Sequence, residues 1–434
     1  MTSSADRLHD AIAHGPMSPL QITTVVICLA INLIDGFDVL AISFTASTLA
    51  AEWQLQDDQF GLLISAGVAG MTIASILISP VADYIGRRRT ILFSLAVITL
   101  GMVASAMAMG PADLALYRFV TGLGIGTLLP SINTMVGEFS SHKRRELAVT
   151  IMQAGFPLGA TLGGFVAFGL IESLGWRGVF WVGALLSGAM IPLSWRGLPE
   201  SPDFLIMRQP PGALEQINRV LAKIGVEQLD AMPATPTTTA SSLQTLWQPE
   251  HRGNTLALCM AFFCVMAAFY FIASWTPKLL TDAGMSTSGG ISGGVILNLT
   301  GVTGGLLLGW LAYRIGARRL TALYITAAII AMLVFTQIED LQIMVLGGAA
   351  VGFFVIGSMM GLYSIAPGLF PTRIRSTATG LALGFGRFGA ILGPVATGYL
   401  LTAGWQPGGL YVLFAIPLVV SALAVGWLAR RATV

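Results

Sequence analysis

Long apolar runs alternate with short polar connections along almost the whole chain. A run of about 20 apolar residues is the length a helix needs to cross the hydrocarbon core of a bilayer. The pattern predicts twelve helical spans, near 22–49, 59–82, 90–109, 113–137, 147–170, 178–197, 254–277, 290–313, 319–336, 342–367, 376–401 and 408–429. Most connections are a few residues long. The exception is 198–252, which is polar and rich in Pro and Thr around Met232–Ala240. It divides the spans six and six, giving an N-terminal half over 1–197, a middle loop over 198–252 and a C-terminal half over 253–434. Within the loop, Leu214–Ile224 has the spacing of a short amphipathic helix, expected at the membrane surface.

Composition agrees with this pattern. Of 434 residues, 55% are hydrophobic and only 10% are charged, where a soluble domain carries roughly 25% charge. The fold class is therefore an all-α membrane protein. A net charge of +2, with its basic residues in short dispersed clusters, does not point to nucleic acid. Cys28, Cys259 and Cys264 lie in apolar runs and offer neither a disulfide framework nor metal spacing. His9, His14, His142 and His251 are scattered outside the spans, so no metal or cofactor is expected. No phosphate loop ending in Gly-Lys-Ser/Thr is present, which argues against direct coupling to ATP. The first twenty residues are polar, with Arg7 among them, and lack a cleavable signal pattern; the first span itself would direct insertion.

Lys and Arg placement sets the expected orientation. Of 23 basic residues, all but four fall in the termini and the even-numbered connections. Arg177 and Lys278 lie on the opposite side; Arg118 and Arg387 lie inside spans. Both termini are thus expected in the cytoplasm of a cell with this protein in its inner membrane. The two halves also repeat. Gly86, Arg88, Arg89, Arg145, Ala148, Gly159 and Gly163 recur 230 residues later as Gly316, Arg318, Arg319, Arg375, Ala378, Gly389 and Gly393. Matching connections fall on the same side, so the halves are parallel repeats. Such a build puts a substrate site between them near the midplane.

Candidate chemistry centres on Ile31–Val39, where Asp35 and Asp38 sit inside the first apolar run. Their i,i+3 spacing places both on one helical face. A charge at bilayer depth is costly and normally faces a cavity or a partner. Desolvation raises a carboxyl pKa and a nearby Arg lowers it, so in a cavity that alternates between wet and dry Asp35 and Asp38 would load and release a proton. Arg387, within Gly384-Phe-Gly-Arg-Phe-Gly389, is the expected anchor of a substrate carboxylate, since its planar fork suits that group. Phe385 and Phe388 are expected to stack on an aromatic substrate. Phe37, Tyr270 and Asn298 are further expected substrate contacts. Gln153, Trp275 and Tyr324 are polar or aromatic span residues of the kind that line cavities. Glycines four and eight residues after Arg118 permit close helix approach.

Three motifs carry a resemblance. Asp83-Tyr-Ile-Gly-Arg-Arg-Arg89 follows the second span; a degenerate copy, Gly309-x-x-x-Tyr-Arg-Ile-Gly-Ala-Arg-Arg319, follows the eighth; Arg118-Phe-Val-Thr-Gly-Leu-Gly-Ile-Gly126 opens the fourth. Together they resemble signatures of the major facilitator superfamily over essentially the whole chain. Ser79 and Tyr313 depart from the usual Gly and Asp of the two loop copies. The Asp35-Gly-Phe-Asp38 motif is similar to that of the aromatic acid:proton symporters within that superfamily. The resemblance implies import of a benzoate-like or hydroxybenzoate-like anion with protons by a monomer in the lipid bilayer. It makes Arg118 a gating or proton-relay partner. It also makes Asp83, Arg87 and Arg88 a latch between the halves, joined by Glu138 and by Arg144 and Arg145. Another organic anion, such as a sugar acid, is the alternative substrate. A partial glycine-proline pattern, Gly155-Phe-Pro-Leu-Gly159, resembles that of antiporters and points to export as a further alternative. A membrane sensor would need a larger appended domain than 198–252, and an embedded enzyme would need clustered polar groups near one interface, which the sequence lacks.

Overall fold

A computed structural model of the chain describes residues 17–78, 81–141, 144–226, 228–232, 243–338 and 340–430. Arg7, His9 and His14, Ser79, His142 and Lys143, most of the Pro/Thr-rich stretch and Arg431 lie outside the described residues.

Eleven helices among the described residues are long and apolar enough to cross a membrane. They account for twelve spans, because Arg145–Gly197 is a single long rod broken at Gly175, whose φ of 66° is non-helical. The first span, Pro19–Phe44, starts with a capping box: Ser18 accepts from the Gln21 amide, and Gln21 returns the bond. After a break at Thr45 it continues as Ala46–Trp53, so it reaches further than the apolar run suggests. The second span, Asp57–Ile73, widens into a π-helical turn over Ala74–Ile78. The third and fourth are Arg87–Ala106 and Pro111–Phe139. The last six are Pro249–Asp282, Thr287–Ile315, Ala317–Phe335, Leu341–Ile365, Thr372–Thr402 and Pro407–Arg430.

The sequence repeat reappears in the backbone at the same offset. Gln54 and Gly284, 230 residues apart, both have positive φ after the first and seventh spans. Gly86 and Gly316 do the same before the third and ninth. Close packing repeats too. A Cβ on Gly159 would strike the carbonyl of Leu33, and one on Gly389 would strike that of Phe263, again 230 residues on. Spans one and five, and spans seven and eleven, therefore meet backbone to backbone. Gly122 and Gly126, the glycines after Arg118, lie against Gly67 and Met71 of the second span in the same way.

The amphipathic helix of the middle loop is Ala213–Ile224. Its apolar face is buried: Ala213, Ile217 and Leu221 form a small core with Phe204, Leu205 and Ile206 of the preceding helix Pro202–Arg208 and with Leu229. The expectation of a helix lying on the lipid surface is corrected accordingly, because its hydrophobic stripe already has a protein partner. This small unit docks on the first half. Ser201 donates to Glu138, Glu200 accepts from the Arg88 amide at 3.0 Å, and Arg208 donates to the Asp83 carbonyl at 3.0 Å.

Contacts between the halves cluster on the face that carries the odd-numbered connections. There Lys278 of the seventh span pairs with Asp57 of the second at 2.9 Å. Thr402 accepts from the Asp58 amide at 3.0 Å, and Ser288 donates to Glu172 at 2.8 Å. Phe60 meets Trp275 edge to face across the same seam. Spans two and eleven stay together down to Ser65 and Ile391, and then to Met71 and Arg387. Beyond Arg387 the eleventh span faces open space: at Gly384 and Gly380 no described atom lies within 4 Å of a Cβ position.

Candidate functional site

Two carboxyls and two guanidiniums lie near one another where the halves join. Arg118 is buried and donates twice to one residue, from Nη1 to Asp38 Oδ1 at 2.7 Å and from Nη2 to the Asp38 carbonyl at 2.7 Å. Its Nη1 also contacts Met102 Sδ at 3.3 Å, and its guanidinium lies over the Phe180 ring. Asp35 sits one turn before Asp38 on the same face and is 3% exposed. Neither of its carboxyl oxygens has a hydrogen-bond partner among the described residues. Its electrostatic neighbours are Asp38, Arg387 and Arg118.

Arg387 reaches across to the other half. Its Nη1 donates to the Met71 carbonyl at 2.7 Å and to Ser75 Oγ at 2.8 Å. Met71 in turn lines a small pocket between the halves, with Val39, Ile64, Arg118, Tyr270 and Ser274 also on its wall. The first, second, fourth and seventh spans thus share one space, which the seam described above closes on the odd-numbered face. The Tyr270 ring packs edge to face on Phe269.

The expected aromatic partners lie in different surroundings. Phe385 and Phe388 are 40% and 48% exposed, on a stripe of the eleventh span with the exposed Leu392 and Tyr399. Residues one or two positions from Arg387 point away from it, because only i±3 and i±4 neighbours share a helix face. Phe37 is 2% exposed and wedged against Gly163 and Gly183 of the fifth and sixth spans; it belongs to the interior of the first half. Asn298 is buried and donates to the Gly294 carbonyl of its own helix at 2.9 Å, away from the pocket lining. Tyr324 stacks on Phe353 between the ninth and tenth spans. Gln153 donates to Asn133 at 3.1 Å between spans four and five. Tyr363 was legible by the same rule that selected Tyr270 and Tyr324, a tyrosine inside an apolar run, and was missed.

The latch residues are held within the first half and the middle loop. Asp83 pairs with Arg87 at 2.6 Å across the non-helical Gly86. The Arg88 side chain donates to the Trp195 carbonyl, and Glu138 is held by Ser201. Arg145 is exposed and lies beside Gly137. The partners identified for Asp83, Arg87, Arg88 and Glu138 come from that half or the loop, not from the second half. Glu200, Ser201 and Arg208 complete this cluster; their place in a polar loop gave no signal that they fold back on the spans.

Comparison with known proteins gives a consistent neighbourhood. The family model of the Major Facilitator Superfamily matches residues 28–338 and 299–434. The gallate transporter of Pseudomonas putida is 34% identical over 421 residues, covering 96% of this chain and 93% of that protein. The 4-hydroxybenzoate transporter PcaK of Pseudomonas aeruginosa is 29% identical over 417 residues, covering 94% and 93%. Among solved structures, an inward-facing, occupied bacterial homologue of the human lysosomal transporter Spinster superposes with a TM-score of 0.75 at 16% identity, covering 96% and 98%.

Proposed function

Because the chain belongs to the major facilitator superfamily and is a transport protein rather than an enzyme, we propose that it imports an aromatic carboxylate together with protons. The relatives named for gallate and 4-hydroxybenzoate support the substrate class. Lys and Arg placement supports cytoplasmic termini, so the even-numbered connections face the cytoplasm. The structure, closed on the odd-numbered face, is then the state open to the inside.

The observation that carries the coupling is a difference between two carboxyls three residues apart. Asp38 has its charge matched by Arg118 at 2.7 Å. Asp35 is buried as well and has no donor among the described residues. A charge left in such a site without a partner is costly, so Asp35 is the group whose charge changes as the cavity opens to either side. Arg387, held against the carbonyl of the pocket-lining Met71, keeps its charge throughout. It holds the substrate carboxylate through the Nε and Nη2 edge that the cross-half bonds leave over. Asp35 takes a proton on the outside and releases it on the inside as one half rocks against the other. With one proton per monoanion the cycle moves no net charge. A gradient of one pH unit then supports about tenfold accumulation, or about 1.4 kcal/mol.

The test is uptake of labelled benzoate, 4-hydroxybenzoate and gallate into proteoliposomes, with an inward proton gradient and with the gradient collapsed. Gradient-dependent accumulation of at least one is expected. Folded protein that accumulates none of them, yet moves sugar acids or exports under a reversed gradient, would overturn the reading.

A further inference from the structure

The Arg387 guanidinium is built into the opposite half. Arginine has five N–H donors. Its Nη1 group supplies two of them, one to the Met71 carbonyl at 2.7 Å and one to Ser75 Oγ at 2.8 Å. The Ser75 hydroxyl donates its own hydrogen back to Met71 at 2.8 Å, with Thr72 also in reach at 3.1 Å. Its lone pair is therefore turned toward Arg387. Ser75 lies in the π-helical turn Ala74–Ile78. Such turns widen the helix, loosen the ordinary ladder of carbonyl acceptors and occur often at functional sites. The turn begins where spans two and eleven part, one turn before the open space at Gly384.

We propose that Ser75 is a positioning residue for substrate recognition: it fixes the Arg387 fork so that Nε and Nη2 face the pocket, and it does so only while spans two and eleven are closed on the odd-numbered face. The inference rests on the reading of Arg387 as the carboxylate site. Rocking the halves apart breaks both bonds, since they cross between them. The guanidinium then regains rotamer freedom, and ordering it again costs part of the binding energy. Carboxylate affinity thus differs between the two states through a residue that never touches the substrate. A differential affinity of this kind is what lets a ligand bias a conformational equilibrium.

The experiment measures equilibrium binding of labelled 4-hydroxybenzoate, and of gallate in parallel, to detergent-purified full-length protein. The odd-numbered face is locked shut by a disulfide between Asp58→Cys and Thr402→Cys. Ser75→Ala is expected to raise Kd three- to tenfold in the locked protein, Ser75→Thr to restore it, and melting temperature to stay within the range of the parent. In the Arg387→Lys background Ser75→Ala should add nothing, since the fork is already gone. In transport the parent and Ser75→Ala should differ in KM and share kcat within twofold. An unchanged Kd for Ser75→Ala beside a weakened Arg387→Lys would overturn the role of Ser75 alone. Unchanged binding in Arg387→Lys and Arg387→Ala would instead overturn the carboxylate site and the inference with it. A Ser75→Ala defect that persists in the Arg387→Lys background would show general disruption of the turn and also overturn it.

Discussion

Arg118 and Asp38 are joined twice, once side chain to side chain and once side chain to backbone, both at 2.7 Å. The second bond fixes the guanidinium to the first span itself, so the fourth span is pinned to the carboxylate motif at mid-depth. Asp35, one turn away, has no such partner. The pair therefore forms a fixed electrostatic wall beside a buried carboxyl that accepts no hydrogen bond from the described residues.

Replacing Arg118 by Lys keeps the charge and loses the fork. One of the two bonds goes, at a cost of about 1.5–3 kcal/mol for a hydrogen bond to a charged group. Asp38→Asn should be worse, about 3–5 kcal/mol, because it leaves a buried guanidinium without its counter-charge. Denaturant unfolding in detergent ranks them; two variants as stable as the parent would remove the wall from the account.

Aromatic residues on the two sides of the site should behave differently. Tyr270→Ala is expected to weaken 4-hydroxybenzoate binding about tenfold, or about 1.4 kcal/mol, since Tyr270 lines the pocket beside Arg118. Phe388→Ala should change it less than about twofold, a size ordinary for a surface substitution away from the site. Binding titrations decide, and the reverse order would return the aromatic contact to the eleventh span.

This contrast shows what the sequence could and could not say. Hydrophobic runs and the offset of 230 made the spans and the repeat legible, because both are periodic and local. Asp35, Asp38, Arg118 and Arg387 were legible because charge is so rare in apolar runs. Phe385 and Phe388 are next to Arg387 in sequence, but proximity along the chain is not proximity on a helix face. Ser75 was hidden for another reason. A serine in a span usually bonds its own helix, as Ser75 also does, and only the packing of spans two and eleven reveals its second partner. The docking of Ser201 and Arg208 likewise depends on tertiary contacts that a polar loop does not announce.

The odd-numbered face must open once per cycle. Asp58→Cys with Thr402→Cys puts thiols on two residues already joined across the seam, the Asp58 amide donating to the Thr402 hydroxyl at 3.0 Å. Oxidation should abolish uptake and reduction should restore at least about half of it, with a rate set by reagent chemistry. Uptake that survives complete oxidation would mean that this seam does not part.

Glu52, in the last turn of the short helix Ala46–Trp53 beyond the apolar helix Pro19–Phe44, accepts from Arg177 at 2.8 Å and from the Trp176 indole at 2.6 Å. The bond from Arg177 holds its carboxyl below the usual glutamate range, against some burial and with help from Trp176. Because the folded value is the lower one, the stabilisation is present above the ordinary range and is lost as pH falls through the folded value. Solvent exposure of the pair limits it to about 1 kcal/mol or less. Melting curves from pH 7 to pH 3 should converge for the parent and Glu52→Gln at the acidic end. A constant gap at every pH would assign the effect to packing.

The central claim is that Asp35 carries the coupling proton. It is tested most directly by comparing Asp35→Asn with the parent in the same proteoliposomes, measuring gradient-driven accumulation and gradient-free exchange of labelled substrate. The account predicts that Asp35→Asn loses accumulation and keeps exchange, because the site still forms and still rocks while its proton no longer moves. Accumulation by Asp35→Asn equal to that of the parent would contradict it.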